Sequence, residues 1–270
     1  MLQIIVIELI RNLPCEAFRM VRSALNWLIA RPIAHRGLHD AACGVIENTA
    51  AAVSAAITAG YGIEVDLHIS ADGEAMVHHD DVLGRLTEGE GRIDALSAAA
   101  LKRVPFRSGS GDPMMTLSDL CDLVAGRAPL LLELRSRFDS DGRLPTRVAA
   151  VVGGYRGPVA AMSFDPMQLK ILRHKSPNLP RGYLAIQCRP HPYYDQMPAW
   201  LRYGMGSLLP AFMAQPQFIA YGVSGLPAFA PLFARRVLGL PLLTWTVQTP
   251  AERQRAARWA DQMIFEGFRP

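Results

Sequence analysis

What this 270-residue sequence has little of narrows its reading first. Only 19% of the residues are charged and half are apolar, which excludes a chain too polar to build a core. The net charge is +4 with neutral histidines. So mild an excess, spread along the chain, lacks the concentrated basic face that nucleic-acid binding needs. The four cysteines, Cys15, Cys43, Cys121 and Cys188, stand far apart without a Cys-x-x-Cys pair. No zinc site or disulfide framework is readable from them, and they read as free thiols in a reducing compartment. Rossmann and Walker fingerprints are absent; Gly44, Gly60 and Gly62 are loop glycines without a phosphate-loop pattern. No internal repeat or low-complexity tract occurs.

Long apolar runs are missing too. Residues 2–10 (LQIIVIELI) are apolar, but Glu8, Arg11, Asn12 and Pro14 cut the run far short of the ~20 residues a membrane span needs. Clear marks of a secretory signal are also missing. Residues 16–30 place Phe18, Val21, Leu25 and Leu28 at helical spacing. Three readings of the 1–30 lead stand: a helix closing the bottom of the domain, interfacial membrane attachment helped by Arg11, Arg19, Arg22 and Arg31, or a start at Met20. The chain is expected to be cytoplasmic, with peripheral membrane contact through residues 1–30 as the alternative.

What is present is an alternation. Strand candidates are Pro32–His35, Gly62–Leu67, Leu130–Leu134, Val159–Phe164, Gly182–Ile186, Phe218–Val223, Leu242–Val247 and Gln262–Phe265. Helical stretches such as Thr49–Ala59, Asp165–His174 and Pro250–Ala260 lie between them. Strand and helix in alternation predict a parallel sheet covered by helices. Eight strands over about 240 residues fit an α/β fold of the (β/α)8 TIM barrel type, spanning 31–270, better than an open sheet. Ala75–His79 breaks the repeat. Only four residues separate it from the strand ending near Ser70, too few for a parallel crossover. Asp72-Gly73 therefore predicts a hairpin turn, with the AMVHH arm running back antiparallel as an excursion from the second strand. The stretch Cys188–Ser207 reads as a lid over the barrel mouth or as a long irregular connection.

Polar residues on otherwise apolar strands mark the chemistry. Glu64 and Asp66 are two apart on a strand and share a face; Glu133 interrupts LLLEL. Such carboxylates are expensive to bury without positive charge between them. As a set of acids without clustered cysteine they describe an all-oxygen site for a hard divalent cation; the competing reading pairs each with an arginine such as Arg135. His35 and Arg36 end the first strand, where barrel active sites sit. His79 arrives on the returning arm, while His78, its neighbour on a strand, should face away. Two histidines near a metal suit general acid–base work. His68 shares the face of Glu64 and Asp66 but lies further along; His39, His174 and His191 read as ordinary histidines. Arg36 presents a planar fork suited to phosphate, and so does Arg135. Asn48 is either an N-cap or, with Glu47, a member of the site.

The order and spacing of His35-Arg36-Gly37, Glu47-Asn48-Thr49, Glu64-Val65-Asp66, Asp72-Gly73 and His79-Asp80, followed by Leu83, Arg85 and Thr87, resemble the glycerophosphodiester phosphodiesterase family. Met115-Thr116-Leu117, Glu133, Ser163-Phe164-Asp165 and Trp245-Thr246-Val247 extend the resemblance over nearly the whole chain after residue 30. It implies a metal-dependent TIM barrel in which Glu64, Asp66 and Glu133 hold Mg²⁺ or Ca²⁺, with Mn²⁺ also admissible. It implies His35 and His79 as the acid–base pair, Arg36, Arg135 and Trp245 as substrate-binding residues, and Glu47 and Asn48 in support. The implied reaction converts a small-molecule glycerophosphodiester, through a cyclic phosphate, to glycerol 3-phosphate and an alcohol. Two alternatives are carried: a lysophospholipase D working at a membrane surface, and a non-catalytic barrel that binds phosphate-containing ligands. The chain departs from the family pattern in having Arg135 for a lysine, Gln248 for an asparagine, and Phe265-Glu266-Gly267-Phe268-Arg269-Pro270 where a Thr-Asp-x-Pro motif is usual.

Overall fold

A computed structural model describes residues 23–108, 111–187 and 197–270. Among them nine strands form: β1 (Ile33–Ala34), β2 (Gly62–Ile69), β3 (Ala75–Val77), β4 (Leu130–Leu134), β5 (Val159–Ser163), β6 (Arg181–Ala185), β7 (Phe218–Gly222), β8 (Leu242–Val247) and β9 (Gln262–Phe265). Eight run parallel and close on themselves, because β1 pairs with both β2 and β9. Closure leaves no exposed sheet edge in the barrel. This is a (β/α)8 barrel, and the strands inferred from apolar runs agree with it to within two residues.

β3 stands outside the ring. It pairs antiparallel with β2, Leu67 opposite Val77 and Ile69 opposite Ala75. The turn is built by local chemistry: Ser70 donates to Asp72, the Ser70 N–H bonds to the Glu74 carbonyl at 2.8 Å, and Gly73 takes φ +87°. Asp72 also accepts from the Ala98 N–H at 2.8 Å, tying the turn to the segment that follows. Beneath this arm a separate apolar cluster (Met76, Leu83, Ile93, Ala98, Leu101, Met114) holds the excursion rigid. The hairpin therefore returns His78 and His79 beside the strand it left.

The crossover helices that matter to the site are α2 (Ala50–Ala59), α4 (Leu117–Val124), α5 (Arg143–Val152), α6 (Pro166–Lys175) and α10 (Pro250–Trp259). Short helices α1 (Asn26–Ile29), α3 (Ala98–Leu101), α7 (Ala199–Met205), α8 (Ala211–Ala214) and the longer α9 (Phe229–Arg236) are the other α-helices among the described residues. Threonine hydroxyls cap α2, α4 and α10 through Thr49, Thr116 and Thr249. Asp165 caps α6, with Pro166 at its first position. Each cap satisfies an N–H that the helix leaves unpaired.

Strands buried on both faces need continuous apolar sequence, and β4 (LLLEL) is buried throughout. Leu25 and Leu28 of the lead are buried in the same cluster as Ile33 and Ile264, and the Gln262 amide donates to the Ile29 carbonyl at 3.1 Å. Residues 23–30 thus pack where β1 and β9 begin. The remainder of the lead, Cys15, Cys188, His191 and the first half of the 188–207 connection lie outside the described residues. The second half contains α7, with Leu201 and Met205 buried and Trp200 and Tyr203 exposed.

Candidate active site

The barrel register assembles the acids. β2 points Glu64 and Asp66 to one face, and β4 sets Glu133 directly beside Asp66. All three are buried, and their nearest carboxylate oxygens lie within 4.8 Å of one another. Glu64 Oε2 accepts the Arg36 N–H at 2.9 Å, while Glu64 Oε1 is buried without a hydrogen-bond partner. Burial above all, then repulsion from Asp66 and Glu133, raises the Glu64 pKa well above the carboxylate range. Burial pushes Asp66 the same way, but the charges of His79, Arg36 and Arg135 outweigh it and hold this carboxyl low. Three converging oxygens, one of them unsatisfied, fit a hard divalent cation.

The ion-pair reading is present alongside. Arg135 Nη1 lies 2.8 Å from Glu133 and 3.9 Å from Asp66, and Arg36 Nε lies 3.3 Å from Asp66. These guanidiniums offset part of the repulsion within the trio. They do not remove the orphaned oxygen of Glu64.

His35 and Arg36 leave β1 through a tight turn. Arg36 takes φ +56° and Gly37 φ +79°. A Cβ on Gly37 would lie 2.9 Å from the Ala52 backbone, so only glycine fits between this turn and α2. The His35 N–H bonds to the Phe265 carbonyl at 3.0 Å, and His35 Nδ1 sits 2.7 Å from Glu266 Oε2. Glu266 was not among the residues singled out from sequence. Its signals were an acid directly after the apolar run of the last strand and its place in the segment that stands where a Thr-Asp-x-Pro motif is usual.

His79, on the returning arm, places Nδ1 2.8 Å from Asp80. Asp80 pairs with Arg85, Arg85 with Glu47 at 2.7 Å, and Glu47 with Arg36 at 2.8 Å. Charge thus alternates from Asp80 round to Asp66. His78 does face away, buried with its ring 6.4 Å from that of Phe106. The His68 ring donates its Nε2–H to the His79 carbonyl, 2.9 Å away. Burial chiefly, with the Arg135 charge, pushes the His68 pKa down to about 4, so it supports the His79 backbone as a neutral ring.

Asn48 corrects the capping reading. Thr49 caps α2, whereas Asn48, at φ +59°, donates to Asp66 Oδ2 at 3.1 Å and accepts from the Asp66 N–H at 3.3 Å. The left-handed conformation, tolerated by asparagine, turns its amide onto the acid. Trp245, on β8, meets Phe164 at the end of β5 edge-on at 5.5 Å, with β6 and β7 between the two strands in the sheet order. Its indole N–H is buried without a partner. A cavity of about 210 Å³ opens beside the cluster, lined in part by His68, His79, Asp80, Arg135 and Ser136. Asp66 interacts with the charges of both His79 and His35, and the Arg36 and Arg135 guanidiniums contact the trio; such a grouping can hold a phosphoryl group and move protons beside it.

Residues 35–268 match the model of the glycerophosphoryl diester phosphodiesterase family. A glycerophosphodiester phosphodiesterase of Caldanaerobacter subterraneus is 28% identical over 165 residues, 58% of this chain and 66% of that protein. Glycerophosphodiester phosphodiesterase 1 of Bos taurus is 40% identical over 74 residues, 27% of this chain and 21% of the bovine protein. The matches therefore span less than two thirds of these relatives. A solved phosphodiesterase of Oleispira antarctica, in complex with the product sn-glycerol-3-phosphate, superposes with a TM-score of 0.70 at 20% identity, covering 86% of this chain and 91% of that one. At that identity the likeness concerns the fold.

Proposed function

The chain belongs to the glycerophosphoryl diester phosphodiesterase family, and from that premise we propose that it hydrolyses glycerophosphodiesters to glycerol 3-phosphate and an alcohol. The observation that carries the reading is the buried trio of Glu64, Asp66 and Glu133 with His35 and His79 each anchored through Nδ1 beside it. Glu64, Asp66 and Glu133 would hold the divalent cation, which supplies positive charge for the phosphoryl oxygens and acidifies the substrate's attacking hydroxyl. Arg36 and Arg135 orient the phosphate and neutralise charge building on it.

In this reading the substrate hydroxyl next to the ester attacks phosphorus. One histidine takes its proton through Nε2; the P–O bond to the alcohol breaks, and the second histidine protonates the departing oxygen. A cyclic phosphate results. Water then adds at phosphorus with the two proton transfers reversed, the ring P–O bond breaks, and glycerol 3-phosphate leaves. Glu47 and Asn48 hold Arg36 and Asp66 in place. Trp245 offers an apolar wall with one free donor to the glycerol arm.

The test is release of glycerol phosphate from glycerophosphocholine, with EDTA followed by repletion with Mg²⁺, Ca²⁺ or Mn²⁺. Turnover should vanish with chelation and fall in His35→Ala and His79→Ala by about 10²-fold or more. Turnover indifferent to EDTA, or undiminished in both variants, would refute the proposal. The exposed rings of Trp200 and Tyr203 on α7 favour a second reading, a lysophospholipase D acting at a membrane surface. Among the described residues no helix is long and apolar enough to cross a membrane, so that reading requires surface contact. Preference for lysophosphatidylcholine over glycerophosphocholine would select it. Binding without turnover under every metal would instead select a non-catalytic barrel.

A further inference from the structure

The two histidines are anchored unequally. Asp80, which holds His79, also pairs with the Arg85 guanidinium, so its charge is divided. Glu266, which holds His35 at 2.7 Å, has a second imidazole, His39, 3.9 Å from its other oxygen. Burial keeps the His39 pKa down. The hydrogen bond from His35 foremost, against burial and aided by the charges of His35, His39 and Arg36, draws the Glu266 pKa down to about 2. At neutral pH Glu266 is then a carboxylate, which only accepts, and the proton of this contact must sit on His35 Nδ1.

The backbone makes the arrangement stiff. Ala34 and Phe265 are register partners across the seam that closes the barrel. His35 N–H bonds to the Phe265 carbonyl and Glu266 N–H to the Val247 carbonyl, both at 3.0 Å. His35 and Glu266 are thus the first residues beyond two adjacent strand ends, and both are largely shielded from solvent, at 13% and 26% side-chain exposure. We propose that Glu266 is the positioning residue of His35: its carboxylate fixes the ring plane and keeps the proton on Nδ1, so that Nε2 is the atom offered to the reacting oxygens. The catalytic part of this inference rests on the phosphodiesterase reading; the tautomer part does not.

The experiment is Glu266→Gln in the full chain, with two readouts. Gln keeps the size, but its amide can donate to Nδ1 and drive the proton to Nε2. In wild type, ¹⁵N–¹H correlation spectra of ¹⁵N-histidine-labelled protein, with His35 assigned by loss of its signals in His35→Gln, should show Nδ1 protonated. The variant should shift His35 toward the Nε2–H form or a mixture. In the assay on glycerophosphocholine, kcat should fall by about 10²-fold with KM within about threefold, and Glu266→Asp should lie between. A merely structural role would lower thermal stability without moving the His35 tautomer. Unchanged His35 shifts with unchanged kcat would overturn the proposal. Should wild type turn over no diester, the functional reading fails while the spectra still decide the positioning claim. If Glu266→Gln does not fold, Glu266→Asp carries both readouts.

Discussion

Glu64→Gln separates what the acidic trio does for function from what it costs the fold. In the metal-free protein Glu64 is buried beside Asp66 and Glu133, with oxygens inside 4.8 Å. At that distance a unit charge repels another by about 3 kcal/mol at an effective dielectric near 20, before Arg36 and Arg135 offset part of it. The raised pKa of Glu64, caused by burial first and by its two acidic neighbours next, sets the sign of the linkage. Between the unfolded carboxyl value and the raised folded one, the native state binds more protons than the unfolded state. This group's stabilisation is therefore present at low pH and lost as pH rises through its folded pKa, by up to about 1.4 kcal/mol per pH unit. Gln cannot lose a proton. Subtracting wild-type from Glu64→Gln stability in urea melts with EDTA, from pH 5 to 9, should give a difference that grows with pH, and it also cancels the contribution of His68. Adding divalent cation should stabilise wild type, by about 2.7 kcal/mol at a hundred times its Kd, and leave the variant unmoved. A flat difference, or equal stabilisation of both proteins by the cation, would show that Glu64 is neither strained nor a ligand.

Three further expectations come from single contacts. Gly37→Ala combines a positive φ with a Cβ 2.9 Å from Ala52 backbone and should destabilise by about 2–4 kcal/mol in denaturant melts, with turnover falling because His35 and Arg36 sit on the same turn. Asn48→Ala leaves Thr49 to cap α2 but strips two hydrogen bonds from buried Asp66. A loss of about 1–3 kcal/mol with unchanged helical circular dichroism is expected; a lower helical signal would instead restore Asn48 as the cap. Burial chiefly drives the Cys121 thiol pKa up to about 11, while Cys43 is exposed. Iodoacetamide at pH 8 should mark Cys43 in native protein and Cys121 only after unfolding, read by peptide mass spectrometry; native labelling of Cys121 would show that α4 opens.

The alternation of eight apolar strands with helices, the Asp72-Gly73 reversal and the shared face of Glu64 and Asp66 were all legible in the sequence. Each depends on periodicity or on turn chemistry within a few residues, and that information is local. The tertiary structure decided what depends on register between distant segments. It set Glu133 against Asp66 across β2 and β4, aimed Asn48 at Asp66 while Thr49 took the cap, and divided the charge of Glu47 between Arg36 and Arg85. Its furthest-reaching decision joins His35 to Glu266, 231 residues apart in the chain. No periodicity links the two. They meet because the last strand pairs with the first, and only closure of the barrel creates that neighbourhood.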